Sequence, residues 1–173
     1  MWTSSMMLTL AALGLLIGAA PASAEMVDFA PEGEGFAVEF PANPSFQPDT
    51  PSKDIVFHAW TANEGDTTFF VGRGVTKDNQ PITDADKTLS GDEDDFVASV
   101  QATVIQSNRI DWPGPDGTLP AILFSFGVGG GYGEYLEAIR AQYVFGFLVL
   151  SRTDAPDVRA EVDREIKTLK ITK

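Results

Sequence analysis

The sequence predicts an α+β fold, a mainly antiparallel sheet packed by two principal amphipathic helices. Three observations lead there. Several short segments alternate apolar and polar residues at period two, turn-forming residues separate them, and two other stretches repeat apolar residues every three or four positions. The order along the chain is strands, helix, strands, helix.

Met26 to Phe29 is a short candidate strand, and GFAVEFP follows with Phe36, Val38 and Phe40 on one face. Pro41, Pro44, Pro48 and Pro51 then predict a loop, because proline cannot donate to a strand ladder. DIVFHAWTA (54–62) and TTFFVGRGVT (67–76) predict a hairpin with the four-residue loop Asn63 to Asp66. The polar segment Lys77 to Lys87, with Pro81, reads as another loop.

Ser90-Gly91-Asp92-Glu93 has the form of a capping box, and Phe96, Val100 and Val104, widened by Val97 and Ile105, predict a helix over 91–107. Arg109 to Trp112 is a short strand candidate closed by the turn formers Pro113 to Gly117. TLPAILFSFGV, the glycine stretch and EYLEAIRAQYVFGFLVLSRT complete the sheet, with a break expected at Phe145-Gly146. The apolar run Leu148-Val149-Leu150 predicts a strand covered on both faces. Pro156 suits a first helical turn, and Val158, Val162, Ile166 and Leu169 form the stripe of the second helix.

Before all this the chain opens MWTSSMMLTLAALGLLIGAAPASA. Its apolar run from Met6 to Ala20 spans about 15 residues, short of the roughly 20 that cross a bilayer, and Ala22-Ser23-Ala24 is a small-residue cleavage site. Residues 1–24 are therefore expected to be a cleaved signal peptide, leaving 25–173 as one domain in the periplasm or outside the cell, with no membrane insertion. The chain has no cysteine, so disulfides and lipid-modified cysteine are excluded. Its net charge of −13 disfavours nucleic acid as a partner and weakens attraction to anionic lipid.

The glycine stretch Ser125 to Tyr135, SFGVGGGYGEY, matches neither a dinucleotide fingerprint nor a P-loop. As a calcium repeat it has Tyr135 where an acid is required and occurs once. It is expected to be a hairpin tip, with Tyr132 and Tyr135 presented beside mobile backbone. Asp84, Asp86 and the cluster Asp92, Glu93, Asp94, Asp95 offer oxygen ligands for calcium, but Leu89 replaces the glycine of an EF-hand loop. Solvated acids at a helix start are the plainer reading.

His58 is the one histidine, which excludes zinc sites built on several histidines. No Gly-x-Ser-x-Gly is present, and no carboxylate pair stands out among 25 acidic residues. Trp60, Trp112, Tyr132, Tyr135 and Tyr143 are the amphipathic aromatics available to a cleft or a partner surface. No catalytic, cofactor or metal residue is assigned from the sequence.

The segment GFAVEFPANPSF, the hairpin around FHAWTANEGDTTFFVG, the helix from Asp92, the segment RAQYVFGFLVLSRT and the ending REIKTLKI together resemble PsbP-like domains. The resemblance covers nearly all of 25–173 and implies an α/β/α sandwich around an antiparallel sheet. It further implies a non-enzymatic accessory role with an unidentified protein partner, and no cofactor. A small-molecule or calcium-binding domain is the alternative. The chain departs from photosynthetic members in its acidity and in lacking a basic docking tail after Glu25, so photosystem docking is not carried over.

Overall fold

The computed structural model describes residues 25–51 and 55–172, so the expected signal peptide lies outside the described residues. A seven-stranded sheet dominates. Its strands are β3 (Ser45–Pro51), β4 (Ile55–Glu64), β5 (Thr67–Thr76), β6 (Thr103–Gly114), β7 (Gly117–Val128), β8 (Gly131–Arg140) and β9 (Tyr143–Ser151), with β1 (Met26–Phe29), β2 (Phe36–Pro41) and β10 (Lys170–Ile171) in a smaller sheet. The large sheet runs β3-β4-β5-β9-β8-β7-β6, and every neighbouring pair is antiparallel. The α+β class with antiparallel sheets and two helices is thus observed.

Helices α1 (Ala85–Val100) and α2 (Pro156–Ile166) pack on opposite faces of this sheet. Alternation along the strands separates the two contacts. Phe69, Leu136 and Phe147 meet Val162 and Ile166 of α2 together with Phe36, Val38 and Phe40 of β2. On the other face Ile122, Phe124 and Tyr135 meet Leu89 and Phe96 of α1, and the Phe96 ring lies 5.1 Å from those of Phe126 and Tyr135. Each such buried side chain contributes about 1.5–3 kcal/mol relative to exposure. Leu148 and Val149 fall on the two different faces, as expected for a doubly covered strand. Among the described residues no helix is long and apolar enough to cross a membrane.

Several boundaries differ from the sequence reading. The proline segment contains an edge strand, β3, whose outer flank has no neighbouring strand among the described residues and whose register shifts between Gln47 and Thr50. The β4–β5 turn is tighter than expected, since Glu64 and Thr67 already pair. Helix α1 starts at Asp84, whose carboxylate accepts from the Lys87 amide at 3.1 Å, and it ends at Gln101 in a left-handed conformation. Val104 and Ile105 therefore belong to strand β6, as a β-branched run favours. The residues of the apparent capping box lie inside the helix, where Ser90 accepts from the Arg109 guanidinium and Glu93 sits 3.9 Å from it. Their spacing of three puts both on the face that meets β6.

The glycine stretch does form the β7–β8 hairpin tip. Val128 pairs with Gly131, and Gly129 and Gly130 hold φ of 58° and 85° between them. The expected break at Phe145-Gly146 is absent, because the chain turns at Ala141-Gln142 and Gly146 lies inside β9. There a Cβ would stand 2.6 Å from the Tyr135 hydroxyl. Gly146→Ala is expected to lower stability by about 1–3 kcal/mol through overpacking. Urea denaturation measures it as a lower midpoint at unchanged slope; a midpoint equal to the parent's would contradict the packing described.

Candidate functional site

Strand β8 carries the pattern Tyr-x-Glu twice, as Tyr132-Gly133-Glu134 and Tyr135-Leu136-Glu137. Strand side chains alternate, so an offset of three sends the first pair to the α2 face and the second to the α1 face. In both, the phenol donates to the carboxylate two positions on. Tyr132 reaches Glu134 Oε1 at 2.6 Å and Tyr135 reaches Glu137 Oε2 at 2.9 Å. Gly131 to Ile139 is buried without interruption, which corrects the expectation that both tyrosines are presented to a partner.

On the α1 face a third acid closes over the second pair. Asp92 is 3% exposed and Glu137 1%, and the two carboxyls are in close enough contact to shift one another's protonation. Apart from that contact neither Asp92 oxygen nor Glu137 Oε1 has a partner among the described residues. Two carboxyls bond to each other only when one carries a proton. Burial pushes the Asp92 carboxyl up from 3.8 to about 6, against the lowering effect of its bond to Glu137 and with a further push from Asp95. Burial and then the Asp92 charge hold Glu137 well above the ordinary carboxylate range, and Arg109 offsets only part of this.

The α2 face repeats the arrangement more openly. Burial raises Glu134, against the Tyr132 hydrogen bond, while burial and Glu134 push the Tyr132 phenol up to about 12. The Arg159 guanidinium lies 4.9 Å from the Tyr132 ring centroid, anchored by Asp154. Chemically these groups are hydrogen-bonded acids closed off from water. Neither a surface groove of 340 Å³ nor one of 190 Å³ is lined by Asp92 or Glu137, so the pair meets no substrate in either.

The other residues singled out from the sequence disperse. Asp84 caps α1 and Asp86 lies in its first turn, while Asp92 points inward, Glu93 faces Arg109 and Asp94 is exposed. Successive helical positions diverge by 100°, so the acidic run does not converge on one point. Among the described residues no group of three or more His, Asp or Glu side chains is arranged to hold a metal ion. His58 Nδ1 lies 3.0 Å from Glu34, and Arg73 lies 3.1 Å from the other oxygen of Glu34 while donating to the Gly33 carbonyl. This cluster fastens the β1–β2 loop to the sheet. Trp60 packs against Phe29, Phe36 and Phe46, and Tyr143 lies under Arg73.

The carboxyl pair escaped the sequence reading because its members are far apart in the chain and on different elements. The doubled Tyr-x-Glu in a strand was the one local sign of it. A different feature lies at the surface. β6 is the outer strand of the large sheet, exposed along most of its first half, and Thr103 to Asn108 carries no charge. Val104 is 38% exposed there and Ile105 50%.

No protein-family model matches the chain, and no curated protein matches it. Among solved structures it is similar to the solution structure of cyanobacterial PsbP (CyanoP) from Synechocystis sp. PCC 6803, with a TM-score of 0.54 over 90% of this chain and 98% of that one at 12% identity. That likeness shows a PsbP-like fold.

The carboxyl pair gives stability an unusual dependence on pH. The fold favours the neutral acid at Asp92, so this contribution is complete below 3.8 and is lost as pH rises through about 6. Asp92→Asn is expected to be more stable than the parent by about 1–3 kcal/mol near pH 8, the gain shrinking as pH falls through about 6. Paired urea titrations across this range check it. A gain independent of pH, or a loss near pH 8, would contradict it.

Proposed function

We propose that this chain is a non-enzymatic, exported accessory domain with a PsbP-like fold that binds a protein partner through strand β6. In this reading residues 1–24 are a cleaved signal peptide and 25–173 are one domain, layered as an α/β/α sandwich. It works in the periplasm or outside the cell.

The single observation that carries the partner reading is the β6 edge. Exposed edges invite strand addition, and folded proteins commonly blunt them with charge, proline or a covering element. In a chain with 21% charged residues and a net charge of −13, the first half of this outer strand, Thr103 to Asn108, carries no charge and exposes Val104 and Ile105, while Arg109, Asp111 and Pro113 blunt only its second half. Its main-chain donors and acceptors suit an extended segment of another protein, and the two apolar side chains supply contact area. The absence of turnover is supported by the closure of the acids and by the engagement of His58 with Glu34. The calcium alternative has no converging ligand set in its favour.

Affinity capture and crosslinking from envelope extract, with the parent and an Ile105→Lys variant in parallel, test the proposal. The parent is expected to retain a partner with crosslinks mapping to β6, and the variant to lose it at a stability within about 0.5 kcal/mol of the parent. Equal capture by both, or a parent that stays monomeric and captures nothing, would refute it.

A further inference from the structure

The groove of 340 Å³ between the β4–β5 turn and α2 has a division of chemistry that the β6 reading does not use. Its floor is apolar, with Phe69, Val149 and Val162, and its rim is acidic, with Glu64, Glu161 and Glu165. The volume falls at the low end of the range for small-ligand sites. Glu165 is 5% exposed. Arg164 donates to its Oε1 at 2.6 Å, and its Oε2 is buried without a partner among the described residues. A buried carboxylate oxygen lacking a donor is costly, so its persistence on the wall of a groove marks a position for a donor from outside.

The wall also selects the kind of donor. Three carboxylates exclude anions and disfavour neutral guests. A bare divalent ion needs several converging oxygens, and among the described residues no group of three or more His, Asp or Glu side chains is arranged to hold one. A guanidinium binds best when both oxygens of a carboxylate are open, but Arg164 already occupies Oε1. What fits is a compact point donor on an apolar stem. We infer that the groove beneath α2 binds a free primary alkylammonium, its ammonium at the Glu165 carboxylate, whose Oε2 turns out of its buried position to accept it, and its carbon chain along Phe69, Val149 and Val162.

Calorimetry and thermal shift on the purified protein with n-pentylamine test the assignment, with n-pentanol as the uncharged analogue and ammonium chloride as charge without a stem. Pentylammonium is expected to bind saturably and raise the Tm, while neither control does so at equal concentration. Glu165→Gln is expected to weaken binding about tenfold or more, as loss of a charge-assisted hydrogen bond implies. The exposed rim variant Glu161→Gln, which does not touch the core, should weaken it by a smaller factor of about two to three. An Asp94→Asn, Asp95→Asn double variant on α1 should leave it unchanged. Equal effects of pentanol or ammonium chloride, unchanged binding in both groove variants, or equal loss in the α1 variant would overturn the inference. Binding of a lysine side chain in an Nα-blocked peptide without binding of the free amine would overturn the free-ligand assignment.

Discussion

The structure depends on one constraint: β8 is covered on both faces and still carries two glutamates. A buried carboxylate without partners costs several kcal/mol, so each needs a donor or a proton supplied from within the sheet. The tyrosine two residues earlier provides the donor on each face. On the α1 side Asp92 lies beside Glu137, and burial raises both carboxyls. Seating α1 on the sheet through Leu89 and Phe96 therefore buries Asp92 beside Glu137.

The neighbouring sequence follows from the same constraint. The Tyr135 ring leans along its strand and leaves no space for a side chain at position 146, which pairs with Glu137 across the ladder and with Gly72 on the next strand. Arg109 of β6 is held by Ser90 and Glu93 of α1, so one cation joins the helix to the outer strand, and its charge also favours the ionised form of Glu137. The Asp92–Glu137 pair is closed off from the surface. The uncharged first half of β6 and the acid-rimmed groove beneath α2 are at separate places on the surface, built from different residues.

The fold class was legible because it rests on local periodicity. GFAVEFP became β2 and the glycine stretch a hairpin tip; Pro156 opened α2, and Val162 and Ile166 of its stripe reached the core. Boundaries were misread where one residue pattern serves two purposes. Ser90 and Glu93 look like a cap but hold Arg109, Gly146 looks like a turn but makes room for a phenol, and the prolines of β3 look like a loop but occupy an unpaired edge. The carboxyl pair was illegible for a stronger reason. Asp92 stands four residues before Phe96 on the apolar stripe of α1, which separates it from Asp94, but only the packing of that stripe on β8 brings it to Glu137.

The buried acids of β8 and α1 set how the stability of the fold depends on pH. Carboxyl-carbon NMR titration of Asp92 and Glu137 tests this most directly. The account predicts coupled titration, with Asp92 near 6 and Glu137 still protonated well above the ordinary carboxylate range. Two independent titrations at ordinary carboxylate values would show the pair to be open to water, and would contradict it.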